Sequence, residues 1–223
     1  MSWDEGSAHA VLLLRELSEI SIFKSGWEIL GTALNDDEAA FLEKGRIAQE
    51  GEGSNGRLFF MIAGNARGPV PPFLRMESYF ATIDFDQNQG RLTVTIDLRP
   101  ELATIDTIFE IIKRFAAWSP LQHVSTTPAT YAEYDAPIDH VRRRGIGWAG
   151  WVPFQLTQEQ VPEAAILEPV GNGTFLATQR TYWAVQDREA VRRAQALELR
   201  LNDLGMLPTR RVLSRGTWGT TDP

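Results

Sequence analysis

Gly147-Trp148-Ala149-Gly150-Trp151-Val152-Pro153 is the stretch whose reading decides the fold. It is an apolar run closed by a proline, and a prolyl nitrogen cannot donate to a sheet ladder, so the run predicts a core strand that stops at Pro153. Further along the chain, Ile166 to Val170 and Thr174 to Thr178 flank Gly171-Asn172-Gly173. Two short apolar runs around such a turn predict a β-hairpin, because glycine and asparagine accept the positive φ of tight turns. A helix then follows. Asp187 stands at its N-cap, Val191, Ala194, Leu197, Leu201 and Leu204 recur at helical spacing, and Gly205 takes the C-terminal cap position before Leu207-Pro208. Trp148 and Trp151 both read as core, although a three-residue spacing on a strand turns them to opposite faces and leaves one free to be exposed.

Before this unit, Ser119 to Ile146 carries prolines at 120, 128 and 137 and reads as a long connection with one helical turn around Tyr131 to Tyr134. Thr104 to Trp118 predicts an amphipathic helix capped by Thr104. Its apolar face holds Ile105, Ile108, Phe109, Ile112, Phe115 and Ala116. Leu58 to Ala63, Phe73 to Ile83 and Arg91 to Leu98 are β-rich runs separated by turns, which predicts an antiparallel meander for that helix to cover. Ala10 to Ile22 fits either a helix or a strand, and Ser18 to Phe23 is read as strand, with a second strand from Gly26 to Leu30. Asn35 to Glu38 caps a helix through Ala48, and Glu50 to Gly56 is a loop without apolar residues. Strands cluster instead of alternating with helices. The expectation is therefore an α+β fold of mostly antiparallel sheet covered by helices, in one compact domain over 1–223. A subdivision near residue 120 into two related half-sheets is its alternative.

Hydrophobic residues make up 43% and charged residues 23% of the 223, as in an ordinary folded domain with a sizeable core. Cysteine is absent, which removes disulfides, thiolate nucleophiles and cysteine-ligated zinc. The acidic start and the short apolar run from Ala10 to Leu14 do not resemble a secretory signal, and no run approaches the ~20 apolar residues of a membrane span. A cytoplasmic, non-membrane protein is expected. The net charge of −7 is localised: residues 1–52 hold 11 acids and 4 bases, and the remainder is balanced. Such a surface disfavours direct nucleic-acid binding and favours a basic protein partner.

Catalytic motifs are wanting. Asp84 to Gly90 is similar in outline to a calcium loop, but its glycine falls one place late and its twelfth position is Thr95. His9, His123 and His140 show no metal-ligand spacing, and there is no nucleophile elbow, phosphate loop or dinucleotide fingerprint. No cofactor or metal is expected, and Arg142 to Arg144 read as a solvated charge run. Asp84, Asp86 and His140 are the residues left for a rival reading as a small α+β enzyme.

The ordered series within 147–208 is similar to the bacterial immunity protein 52 family, found beside polymorphic toxins. It comprises Gly147-Trp148, Trp151 to Pro153, Val161-Pro162-Glu163-Ala164-Ala165, Gly173-Thr174 and Glu198 to Pro208, with weaker echoes at Gly26-Trp27 and Trp118 to Pro120. Ala149-Gly150 departs from it, bulkier residues being expected after the first tryptophan. The resemblance implies structural roles for Trp27, Gly147, Trp148, Trp151, Pro153, Pro162, Glu198 and Arg200. It also implies a non-enzymatic antitoxin that neutralises a cognate toxin effector of a polymorphic or type VI secretion system, a nuclease of the restriction-endonuclease-like class. A nuclease presents cations to a phosphate backbone, so the expected toxin-facing charges are Asp36, Asp37, Glu38, Glu43, Glu50 and Glu52, with exposed aromatics nearby as anchors.

Overall fold

Apolar runs bounded by turns become antiparallel strands, and the helices between them bury one face each. The computed structural model describes residues 3–24, 26–29, 31–50, 57–64, 79–86, 91–98, 100–118, 121–128, 130–139 and 143–219. The fold is α+β, helices with antiparallel sheets. The chain divides into two compact units, residues 1–103 and 104–223, ahead of the Thr104 helix instead of near residue 120.

Unit 1 begins with α1 (Trp3–Ser18). Ser7, Ala10, Val11, Leu14 and Leu17 are buried at spacings of three and four, while Leu12 and Glu16 face solvent. That helical stripe overturns the strand reading of Ser18 to Phe23: the helix runs to Ser18, and Ser21–Phe23 forms a single 3-10 turn. Trp27 is buried beyond it, its indole N–H donating to Leu14 O at 2.9 Å. The strand expected from Gly26 to Leu30 contracts to β1 (Glu28–Ile29), which turns at Gly31 into β2 (Thr32–Ala33). After α2 (Glu38–Glu50) come β3 (Arg57–Gly64), β4 (Tyr79–Asp86) and β5 (Arg91–Leu98), an antiparallel meander as expected. Among the described residues the sheet order is β2-β1-β3-β4-β5. The rest of the expected loop, 51–56, the start of the Phe73 run and the turn at 87–90 lie outside the described residues.

Unit 2 opens with α3 (Ile105–Trp118), where the Thr104 hydroxyl accepts the Thr107 N–H at 3.2 Å. The helix packs on the second sheet, against β7 (Ala149–Val152) and β8 (Ile166–Val170). Phe109 explains this, its ring lying 5.1 Å from that of Phe175 in β9 (Gly173–Ala177). β6 (Val124–Thr126), unforeseen, pairs with β7, and the order is β6-β7-β9-β8 among the described residues. The helical turn α4 (Tyr131–Tyr134), the β8–β9 hairpin and α5 (Arg188–Asp203) fall where the sequence put them. The Asp187 carboxylate accepts the Ala190 N–H at 3.0 Å. Short α6 (Arg210–Ser214) follows, capped by Thr209.

The strand that anchors unit 2 is enclosed on both faces. Trp148 and Trp151 are each 0% exposed, so neither is the outward residue that their spacing allowed. Their indoles donate to Gln179 O (2.9 Å) and Val170 O (3.0 Å), which satisfies the polar end of each ring. The departure at Ala149-Gly150 has a steric cause: a Cβ at Gly150 would stand 2.5 Å from Val124 O across the β6 pairing.

Two glycines separate strain from crowding. Gly147 has φ +64°, and an added Cβ would lie 2.2 Å from Thr127 Cγ2 and 2.7 Å from Thr126 O. Gly205 has φ +72° with open space around it. Gly205→Ala should therefore cost only the left-handed backbone strain, about 1 kcal/mol, whereas Gly147→Ala adds overpacking and should cost more than ~3 kcal/mol. Urea unfolding followed by tryptophan fluorescence measures both.

Candidate functional site

The acidic residues expected to face a partner gather at one end of α2. Asp36 and Asp37 are exposed in the turn before the helix, Glu38 is its first residue, and Glu43 is exposed one turn on. Three of them serve the fold locally. The Asp37 carboxylate accepts the Ala40 N–H at 2.9 Å and so caps the helix, where the dipole also favours negative charge. Glu38 pairs with Arg15 of α1, and Glu43 pairs with Arg46 at 2.6 Å. The Arg46 hydrogen bond holds the Glu43 carboxyl below the usual carboxylate range. The face is thus acidic but already partly compensated. Glu50 is the last residue of α2, and Glu52 lies outside the described residues.

Among the described residues, no aromatic near α2 is exposed as an anchor. Phe23, Trp27 and Phe41 are buried, because each fills the small core between α1, α2 and the first strands. The exposed large apolar residues among those described are Leu12, Ile47 and Leu199. Ile47 follows Glu43 by four residues, so it shares the acidic face of α2.

In unit 2 the turn before β7 and the helical turn α4 meet at Glu198, to which the resemblance assigned a structural role. Glu198 of α5 is 0% exposed. Its Oε1 accepts the Gly147 N–H at 2.8 Å and its Oε2 accepts the Tyr131 O–H at 3.1 Å. Gly145 lets the carboxylate sit against the backbone, since a Cβ there would lie 2.1 Å from Oε1. Burial, then the adjacent Glu198 carboxylate and its hydrogen bond, push the Tyr131 hydroxyl far above the usual phenol range. Both oxygens are engaged and the space is filled, so this carboxylate is built to join elements and has no room for a substrate. Pro153 is buried, Pro162 is exposed, and Arg200 pairs with Glu163 at 3.2 Å on the surface of α5.

Asp84 and Asp86 lie in β4, in register with Thr93 and Arg91 of β5, and His140 lies outside the described residues. No group of three or more His, Asp or Glu that could hold a metal occurs among the described residues. A groove of about 310 Å³ is lined by Phe109, Ala116, Ala117, Pro169 and Val170, with Lys113 as its cation. Lys113 is already paired with Glu110 at 2.9 Å. No described helix is long and apolar enough to cross a membrane.

No protein-family model matches the chain, and no curated protein matches it. The likeness to the immunity protein 52 family rests on the residue series itself.

Glu198→Ala should destabilise the protein by about 3–5 kcal/mol, since it leaves two buried donors without an acceptor and opens a cavity. Glu198→Gln keeps an acceptor oxygen and should cost less, which urea unfolding would show. The Tyr131 hydroxyl also sets an alkaline limit. Its folded value is raised, so above pH ~10 the unfolded chain loses the phenolic proton while the folded chain retains it. Stability should fall as pH rises past that point. Tyr131→Phe should flatten the fall, leaving the part due to Tyr182, which burial also raises.

Proposed function

We propose that this protein is an immunity protein that binds and neutralises a cognate bacterial toxin effector, a nuclease of the restriction-endonuclease-like class, in the cytoplasm of the producing cell. It acts by occupancy: an acidic, prefolded face covers the cationic site that the nuclease offers to a phosphate backbone, and no covalent bond is made or broken. The single observation that carries the reading is the partition of charge. Unit 1 holds 16 acids against 9 bases, whereas unit 2 holds 13 of each. The surplus thus lies wholly in the unit that exposes Asp36, Asp37, Glu38 and Glu43 around the start of α2. A field of one sign speeds encounter with a basic partner and selects against wrong ones. Ile47 on the same helix supplies an apolar contact beside those charges.

The ordered series in 147–208 supports the family side of the proposal, because its members Gly147, Trp148, Trp151, Pro153 and Glu198 are all buried and Gly147 donates to Glu198. Units of this kind leave the surface of the molecule free to diverge with the partner. The biological test is co-expression with the toxic C-terminal domain encoded by the adjacent gene: rescue of growth is expected, and continued killing overturns the proposal.

The interface test needs variants that spare the fold. Asp37→Lys would remove a helix cap at a cost of about 1 kcal/mol, so Asp36→Asn, Asp37→Asn, Glu38→Gln and Glu43→Gln are the variants of choice, asparagine being an equally good cap. The combined variant should bind the toxin domain at least ~10-fold more weakly at low salt, chiefly through a slower association rate, and the difference should shrink as salt screens the charges. Surface plasmon resonance at two ionic strengths measures both.

A further inference from the structure

Two arginine-bearing segments far apart in sequence are laid side by side in unit 2. An isolated antiparallel bridge pairs Arg143 with Thr209, and the Arg144 N–H donates to Pro208 O at 2.9 Å. That register sets Pro208 opposite Arg144, so Arg210, two residues further on at the start of α6, is the diagonal neighbour of Arg144 on the same face. Arg143 does not share their surface role: its guanidinium donates to Leu207 O at 3.0 Å and helps hold the two segments together. Arg144 and Arg210 are both exposed. Burial of part of its length lowers Arg144 below the usual guanidinium range, and the charge of Arg210 lowers it further, so the two cations stand close enough to repel.

Six of the other described arginines are compensated. Arg15, Arg46, Arg188, Arg192, Arg193 and Arg200 each meet a carboxylate. Among the described residues, neither Arg144 nor Arg210 makes an ion pair. Two like charges are thus held together by backbone hydrogen bonds and the half-buried Arg143 guanidinium, and among the described residues neither has a carboxylate partner.

We propose that Arg144 and Arg210 form a binding patch for a phosphate-class oxyanion, either a free polyphosphate or the phosphodiester of a single strand. A guanidinium presents paired N–H donors in a plane that matches two oxygens of a phosphate, and two such forks can grip one group from either side. A multivalent anion seated there also removes the repulsion, which links binding to stability. The acidic surplus of unit 1 opposes a long duplex, so a compact anion is the better match in charge. The patch goes beyond the immunity reading and does not depend on it.

The test uses the full-length protein, with inorganic pyrophosphate and a short oligothymidylate as separate probes in calorimetric titrations at low salt. Saturable binding is expected. It should weaken at least ~10-fold in the Arg144→Ala/Arg210→Ala double variant and be unchanged in Arg192→Ala/Arg193→Ala, whose guanidiniums face Glu189. Pyrophosphate alone binding through these residues assigns a free anion, and oligothymidylate binding through them assigns a phosphodiester. Should the double variant unfold by circular dichroism, Arg210→Gln alone, at an exposed position, carries the same comparison. Saturable binding of neither probe, or equal weakening in both double variants, overturns the proposal.

Discussion

A carboxylate shut away from water must be satisfied from within, and the second unit is arranged so that Glu198 is. Gly147 supplies a backbone N–H and Tyr131 a hydroxyl, so one side chain of α5 joins the turn before β7 to the helical turn α4. Several sequence features then follow as consequences. Gly145 has to lack a Cβ because the carboxylate occupies that space, and Gly147 has to adopt a positive φ to aim its N–H at Oε1 while passing Thr126 and Thr127. Trp148 leads directly from this point into the enclosed strand, its ring edge-on to Tyr182 at 5.1 Å. Removing the acceptor would therefore loosen three elements together.

The two units divide the work between inside and surface. Unit 2 concentrates the packing constraints: enclosed tryptophans, close-approach glycines and the satisfied Glu198. Unit 1 carries the charge imbalance, and near α2 it exposes Asp36, Asp37, Glu38 and Glu43 with Ile47 on the same helix. The proposed recognition by surface potential rests on this division. The groove beside α3 is apolar and its lysine is already paired, and the one buried carboxylate described is filled in on every side.

Much of unit 2 was legible because local chemistry and tertiary packing agree there. Asp187 caps α5, Gly205 ends it, the Gly-Asn-Gly turn makes its hairpin, and Thr104 caps α3. α1 was misread because its burial stripe is carried partly by Ser7 and Ala10, residues that raise little hydrophobic signal, whereas Ile20 to Phe23 looked like a strand and makes a 3-10 turn. The sheet covered by α3 could not be read from an amphipathic pattern, which says that a face is buried and not against what. β6 escaped because Val-Ser-Thr is too short and polar to show alternation, and gains its strand form from pairing with β7. Glu198 did leave a trace: it stands four after Ala194 and three before Leu201, on the buried ridge of α5, where a charged residue calls for partners. Of the candidate surface, the clustering of Asp36, Asp37 and Glu38 was visible, but the ion pairs to Arg15 and Arg46 depend on a distant helix and on side-chain geometry.

β8 ends the four-stranded sheet, and it presents Glu168 and Pro169 to solvent there. A prolyl nitrogen offers no hydrogen to an incoming chain, and the neighbouring carboxylate repels its own likeness on another copy. That margin of the sheet is thereby closed to recruitment of a further strand.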